Sequence, residues 1–163
     1  MKIVIDPFKK ESINAAIKQL QQYERDFKTK ETEFVRRLKE LGVSVATTGF
    51  ALAEYDGIND VLIAETQSGS RAAVIAYGET VGFIEFGTGI KFPEWSGSQT
   101  GYTPPKHGTY GKGKGKQPYG WYFKQNEGGS ARHTYGNPPA EAMLTARDKM
   151  IEQITAIARE VWK

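Results

Sequence analysis

The most regular pattern of apolar positions in the chain lies between Phe34 and Tyr55. Apolar side chains and one threonine recur there at alternating intervals of four and three residues: Phe34, Leu38, Leu41, Val45, Thr48, Leu52 and Tyr55. This spacing places them along one face of an α-helix. It predicts a long helix over residues 30–55, although two glycines and several β-branched residues there lower helix propensity.

The chain before this stripe predicts a short edge strand and a first helix. In "MKIVID", Ile3 and Ile5 would share one face of the strand. The following Asp-Pro pair is a helix-start signal, because aspartate caps helices and proline suits their first turn. The stripe keeps its phase backwards through Phe27, Leu20 and Ile13, but glutamates at the partner positions predict a break near residues 28–32.

After a turn in "YDGIND", two apolar runs flank "QSGS" and predict a β-hairpin that turns at Ser68-Gly69. "VGFIEF" (81–86) predicts a further strand or a short helix. A last helix is expected to begin at Pro139 and to run nearly to the end of the chain, with a stripe of Met143, Met150, Ile154, Ile157 and Val161.

The predicted order of elements is β-α-α-β-β-β-loop-α. It predicts an α+β fold in which a small antiparallel sheet of three to four strands packs against a long N-terminal helical region and a C-terminal helix. With 163 residues, the chain is expected to form a single domain over residues 1–163.

Residues 91–136 differ in composition from the rest of the chain. They hold ten of the 18 glycines and nine of the 19 aromatic residues, and only "GWYF" (120–123) keeps a strand-like pattern. We therefore expect a long insertion loop, a type of segment that is usually functional or disordered.

Charge is concentrated in the same region. Residues 91–136 contain seven basic and two acidic side chains, whereas the whole chain has a net charge of only +3. The chain has no cysteine, which excludes disulfides and thiolate metal sites and fits assembly in a reducing cytoplasm. The longest apolar run, "AAVIAY", is strand-sized, so we expect no membrane partner.

The stretch "GTYGKGKGKQ" (108–117) matches part of a phosphate-binding P-loop. Gly108, Gly113 and Lys114 have the required spacing, but Gly115 stands where a serine or threonine would bind Mg²⁺. The two histidines are 26 positions apart without nearby ligand spacing, and no Gly-x-Ser-x-Gly motif is present. We therefore expect no enzyme, no metal site and no cofactor.

Nonspecific nucleic-acid binding is a stronger alternative for this loop. Lys112, Lys114 and Lys116 could follow a phosphate backbone while neighbouring aromatic rings stack on bases. In the other interpretation, the lysines keep a long loop soluble and its aromatic residues pack on protein.

Two further motifs carry a resemblance to a known family. "VGFIEFGTGI" (81–90) and "TYGNPPAEAMLTA" (134–146), separated by a Gly/Lys/aromatic insertion, resemble the tail-completion family of long-tailed bacteriophages, small neck proteins of the head–tail junction named after gene product ten of a lambdoid phage. The matching residues are Phe83, Glu85, Phe86, Gly87, Thr88, Pro138 and Pro139. "YDGINDV" (55–61) is also similar to the family, whereas Ala140 and Glu141 replace an arginine often seen near the prolines.

The resemblance implies a structural virion protein, made in the bacterial cytoplasm, that completes the tail end and joins tail to head. It implies a homo-oligomeric ring of six copies, in contact with other neck and tail proteins. The alternatives are a tail terminator, a minor tail protein or a nucleic-acid-binding accessory domain. In the virion reading, the lysines at 112, 114 and 116 face DNA in the lumen, and the loop is anchored at interfaces by Trp95, Tyr110, Tyr119, Trp121 and Tyr122.

The signature residues also have structural interpretations. Gly87 and Gly89 are expected to supply backbone angles that other residues avoid, and Phe83 and Phe86 are expected in the core. A half-buried Glu85 needs partners, either backbone N–H groups at a helix start or an arginine. We expect these residues to maintain the fold, with an intersubunit contact as the alternative for Glu85.

Overall fold

A computed structural model describes residues 3–88, 121–124 and 128–163 of the chain. Its elements are, in chain order, α1 (Lys10–Ala51), β1 (Leu62–Ser68), β2 (Arg71–Tyr77), α2 (Val81–Phe86), β3 (Trp121–Phe123), β4 (Arg132–Thr134) and α3 (Ala142–Val161). The predicted α+β class is confirmed. The predicted sheet of three to four strands is wrong, because the described strands form two separate antiparallel pairs, β1–β2 and β3–β4.

The helix α1 is a single element of 42 residues, so the predicted break near residues 28–32 is wrong. Of the two glutamates that suggested a break, Glu24 and Glu31, the first is paired along the helix surface, where its carboxylate lies 2.7 Å from the Lys28 ammonium. Further along the helix, the Glu33 carboxylate lies 2.7 Å from the Arg37 guanidinium. Ion pairs at this i,i+4 spacing stabilise a continuous helix.

The residues before α1 form a turn, not the predicted edge strand. The backbone N–H of Asp6 donates to the Ser12 hydroxyl at 2.8 Å, and the Asp6 carboxylate accepts from the N–H of Phe8 at 3.1 Å. These bonds fold the segment back onto the first turn of α1. The helix therefore begins at Lys10 and not directly after Asp6.

Helices α1 and α3 pack antiparallel through small residues. A Cβ atom at Gly49 would lie 2.6 Å from the Cβ of Ala142, and one at Gly42 would lie 2.7 Å from the sulfur of Met150. Ala46 and Ala146 are also buried. The buried face of α1 thus includes glycine and alanine, which the search for large apolar residues did not select. Two residues of the predicted apolar stripe, Thr48 and Leu52, are exposed instead.

The predicted hairpin is confirmed as β1 and β2, which pair from Leu62↔Tyr77 to Ser68↔Arg71. Its turn lies one position later than predicted, at Gly69 and Ser70, with Gly69 at φ +58°. The segment 81–86 forms the helix α2, one of its two predicted structures. Buried Ile84 of α2 packs in the core with Phe50 of α1 and Ala142 of α3.

Helix α3 begins three residues beyond Pro139, at Ala142, and runs to Val161. Its predicted stripe is only partly buried, since Val161 is buried but Ile154 is 42% exposed. The strand-like "GWYF" contributes β3, whose partner β4 was not predicted from the sequence.

The tight contact between α1 and α3 gives a first prediction. Gly49→Ala should gain about 1 kcal/mol from helix propensity but lose roughly 1–3 kcal/mol from overpacking against Ala142. Because the Cα of Ala142 would also lie 3.0 Å from the new atom, we expect a net destabilisation of about 1–2 kcal/mol. Urea denaturation measures it.

The matched control is Gly82→Ala in α2, where a Cβ atom would meet nothing within 4 Å. This variant should keep the propensity gain and be at least as stable as the wild type. Equal stability changes in the two variants would show that α1 and α3 are not held in close contact.

Candidate functional site at the junction of two motifs

The two motif segments are hydrogen-bonded to each other. Thr88 and Asn137 exchange backbone hydrogen bonds of 3.0 and 2.9 Å as an antiparallel bridge. The Thr88 hydroxyl donates to the Asn137 side-chain oxygen, and the Asn137 amide donates to the carbonyl of Phe83 at 3.0 Å. Both bridging residues are buried. We call residues 83–88 together with residues 137–144 the motif junction.

Further backbone bonds join the end of α2 to the start of α3. The N–H of Ala140 donates to the carbonyl of Ile84 at 2.8 Å, and the N–H of Glu141 donates to the carbonyl of Glu85 at 3.2 Å. The last carbonyls of a helix have no partner within it. In α2, the carbonyls of Phe83, Ile84 and Glu85 accept from the chain segment that enters α3.

Glu85 caps α3 from the other motif. Its side chain is only 6% exposed, and its carboxylate accepts from the N–H groups of Met143 at 3.1 Å and Leu144 at 3.2 Å. A negative charge at a helix N-terminus is favourable, because unpaired N–H groups and the helix dipole converge there. The sequence predicted that Glu85 would bond either to backbone N–H groups at a helix start or to an arginine. The structure shows the first of these two partners.

Burial raises the pKa of the Glu85 carboxyl above its ordinary value of 4.5, and the nearby charge of Glu141 adds a smaller increase. The hydrogen bonds from the backbone N–H groups at the start of α3 lower the pKa, but by less than burial raises it. The cost of removing the charge from water therefore exceeds what these donors return. The carboxylate of Glu85 is held at the junction at an energetic cost.

Unusual backbone angles shape the junction on both sides. Gly87 has φ +68° and ψ 168°, a region that is essentially restricted to glycine. A Cβ atom there would lie 2.7 Å from the nitrogen of Pro139 and 2.8 Å from the carbonyl oxygen of Asn137. Glu141 adopts the left-handed conformation, with φ 49°, directly before α3. The predicted backbone role of Gly87 is confirmed.

The prediction that Phe83 lies in the core is wrong. Phe83 is 37% exposed, whereas Phe86 is 9% exposed and Ile84 is fully buried. This segment is helical, so consecutive residues point in different directions around the helix axis. Ile84 therefore faces the core, and the preceding residue, Phe83, faces solvent. Pro138 and Pro139 are half-buried.

Polar residues of the "YDGINDV" segment bond to residues next to the junction. The hydroxyl of Thr134 donates to the Asp56 carboxylate at 2.7 Å, and the Asn59 amide donates to the Phe50 carbonyl at the end of α1 at 2.7 Å. Asp60 accepts from the hydroxyl and N–H of Thr80 and from another backbone N–H, and these bonds lower its pKa. The sequence predicted a turn here and a similarity to the family, but none of these bonds.

The structure places a row of aromatic rings on the β3–β4 hairpin. The ring of Tyr122, whose residue is 67% exposed, lies 4.9 Å from that of His133, which lies 4.8 Å from that of Tyr135. Of the predicted interface residues, Tyr122 is therefore exposed and Trp121 belongs to β3. The other three, Trp95, Tyr110 and Tyr119, lie outside the described residues. So do the three lysines predicted to face DNA, at 112, 114 and 116, and Gly89.

Within the described ranges, no group of three or more His, Cys, Asp or Glu side chains is placed to hold a metal ion. None of the helices in that part of the chain is long and apolar enough to cross a bilayer. Comparison of the chain with protein-family models, with curated proteins and with solved structures found no match. The polar groups of the junction bond to one another, an arrangement suited to holding segments together.

Proposed function

We propose that this protein is a structural component of a long-tailed phage particle that completes the tail end and joins tail to head. The observation that carries the proposal is the motif junction. The two motifs that resemble the tail-completion family are 49 positions apart at Thr88 and Asn137, yet these residues pair directly. A chance likeness in two unrelated segments would not require such a contact.

The junction also supports the role proposed for the segment between the motifs. Because Thr88 and Asn137 are paired, the two residues that flank the segment 89–136 lie next to each other. Loops held at both ends by a rigid scaffold commonly carry binding function. The proposed interface residues and the three lysines all belong to this segment.

The work proposed for this loop is adhesion. Aromatic residues are enriched in protein interfaces, and Tyr122 of this segment is exposed. In the proposed ring of six copies, these residues contact neighbouring neck and tail proteins. The three lysines attract the phosphates of DNA in the lumen without sequence preference.

The experiment is electron microscopy of lysates from the parent phage with this gene removed. We expect DNA-filled heads beside unattached tails, because the particle would lack the component that joins them. Wild-type protein supplied from a plasmid should restore joined particles. A folded variant without residues 108–117 should not restore them, because it lacks the tip of the adhesive loop. Normal infectious particles without the gene would contradict the proposal.

The aromatic row of Tyr122, His133 and Tyr135 favours a nonspecific nucleic-acid-binding accessory domain as the second candidate, since exposed rings stack on bases. Normal particles in the gene-removal experiment would leave this candidate standing. A tail terminator or minor tail protein would be distinguished by locating labelled copies in intact particles.

A further inference from the structure

The β3–β4 hairpin presents one face to solvent and turns the other towards the body of the protein. Successive side chains of a strand point to opposite faces, and residues paired across two strands share a face. Thr134 is buried, and its hydroxyl donates to the Asp56 carboxylate at 2.7 Å and accepts from the N–H of Gly136 at 2.9 Å. The preceding residue, His133, and its cross-strand partner Tyr122 therefore lie on the outer face.

The three rings of the aromatic row lie on this outer face and contact one another. The ring centroid of His133 lies 4.9 Å from that of Tyr122 and 4.8 Å from that of Tyr135, at interplanar angles of 67° and 79°. Edge-to-face contacts of this kind are favourable between aromatic rings. Even with these contacts, Tyr122 is 67% exposed and Tyr135 is 53% exposed. Both tyrosines thus keep much of their surface available to a partner.

The ring contacts restrain the two tyrosines before any partner binds. A tyrosine side chain has few rotatable bonds, and each of these rings is also held by its contact with His133. Ordering of side chains at an interface costs free energy, so rings that are restrained in advance lose less on binding. The aromatic row is therefore preorganised to receive flat groups.

The surroundings of the aromatic row are basic. Lys124, which follows β3, and Arg132, in β4, are both exposed. Among the described residues of the hairpin, 121–124 and 128–135, no side chain is acidic. The Asp56 carboxylate lies on the inner side, where it accepts from Thr134. A partner that combines flat rings with negative charge matches both properties of the outer face.

We propose that the aromatic row binds unpaired nucleotides of a single-stranded nucleic acid. Tyr122 and Tyr135 stack on bases, while Lys124 and Arg132 attract the phosphates. Aromatic stacking platforms beside cationic groups are typical of proteins that bind single strands without sequence preference. A duplex keeps the faces of its bases within the base stack, so the row contacts single strands and not duplexes. The inference rests on the nucleic-acid-binding candidate and does not depend on the neck role.

This site differs from the one proposed for the lysines at 112, 114 and 116. Those lysines attract phosphates, which duplexes and single strands both carry. Stacking on the aromatic row requires base faces that only unpaired nucleotides offer. Removing the tyrosine rings should therefore affect single-strand binding alone, whereas removing the lysine charges should weaken binding to both forms.

The experiment is a fluorescence-anisotropy titration of the purified protein with an oligothymidylate and with a blunt-ended duplex of the same length. The wild type should bind the single strand. Tyr122→Ala and Tyr135→Ala should each weaken this binding at least about fivefold and leave duplex binding nearly unchanged. Tyr122→Phe keeps the stacking ring and should bind the single strand like the wild type.

Two control variants separate stacking from other effects. Tyr23→Ala removes a 54% exposed tyrosine from α1 and should bind both probes like the wild type. Replacing Lys112, Lys114 and Lys116 together by glutamine should weaken binding to both probes, since both carry phosphates. Urea denaturation should show that the tyrosine variants stay folded, because the substituted side chains are more than half exposed.

The possible failures are distinguishable. A protein that binds neither probe would overturn this inference together with the nucleic-acid-binding candidate. Single-strand binding that the tyrosine substitutions leave unchanged, or binding to both probes that they weaken equally, would overturn the role of the aromatic row alone. None of these results concerns the neck role, which the gene-removal experiment tests separately.

Photocrosslinking locates the contact on the protein. Single strands that carry iodouracil crosslink to aromatic rings stacked on that base, and mass spectrometry identifies the modified residue. We expect adducts at Tyr122 or Tyr135, and adducts found only at other aromatic residues would contradict the proposed site. A parallel titration with oligouridylate distinguishes RNA from DNA as the source of the unpaired bases, since the tighter of the two probes identifies the strand that the site prefers.

Discussion

Replacing Gly87 by alanine is expected to destabilise the fold by about 3 kcal/mol or more. The angles of Gly87, φ +68° and ψ 168°, cost other residues roughly 1–3 kcal/mol. The added Cβ atom would also lie within 3 Å of the backbone of both Asn137 and Pro139, and overpacking of this kind costs about 1–3 kcal/mol. Since these neighbours are backbone atoms, they cannot rotate away as a side chain can.

The control separates strain from crowding. Gly69 also has a positive φ, +58°, but a Cβ atom there would meet nothing within 4 Å. Gly69→Ala should therefore cost only about 1–2 kcal/mol. Urea denaturation of both variants measures the difference. Similar losses would mean that the motif junction is not tightly packed around Gly87.

The role of Gly87 was foreseeable because the chain must leave a regular element there, and glycine permits that change of direction. The Thr88–Asn137 contact was not foreseeable, since local periodicity contains no information about which distant segments pair. The short strand Arg132–Thr134 was missed for a related reason. Three residues are too few to display an alternating pattern.

Errors along α1 have a different origin. Residues 10–51 form one helix, but the glutamates among its apolar positions suggested an interruption. The pairing of Glu24 with Lys28 one turn away stabilises the continuous helix. The closest contact with α3 involves Gly42 and Gly49, residues that contribute little to a hydrophobic stripe and argue against a helix by propensity.

The site itself was predictable in its chemistry and less so in its geometry. A carboxylate between apolar neighbours indicates buried partners, and Glu85 has them. The sequence left open whether a helix start or an arginine would supply them. That choice depends on where α3 begins, and Pro139 suggested a start three residues too early.

The second large effect is expected at Glu85. Glu85→Ala should destabilise the protein by about 2 kcal/mol, because it leaves the N–H groups of Met143 and Leu144 without acceptors, a loss of roughly 1–3 kcal/mol. Glu85→Gln keeps an acceptor oxygen and similar volume, so it should cost less. Urea denaturation near neutral pH distinguishes the two variants.

The pH dependence tests why the carboxylate is costly. Burial raises the pKa of Glu85 in the folded state above 4.5, the value in the unfolded chain. At pH values between the unfolded and the folded pKa, the native protein therefore binds more protons than the unfolded chain. Stability must then fall as the pH rises through that window, and the penalty is fully present above the folded pKa. Glu85→Gln lacks this penalty, so its stability should improve relative to the wild type as the pH rises from about 4.5 until Glu85 is ionised in the folded protein.

The control for this pH series is Glu79→Gln, which removes an exposed carboxylate close to α2. Its stability should follow that of the wild type across the series. If the wild type gained stability relative to Glu85→Gln as the pH rose, the N–H groups of α3 would outweigh burial. The pKa of Glu85 would then be lowered, and its charge would be a net stabilising tie between the two motifs. We expect the opposite trend, in which Glu85→Gln gains stability relative to the wild type as the pH rises. Glu85 would then join the two motifs through its hydrogen bonds, while its buried charge lowers the stability of the fold.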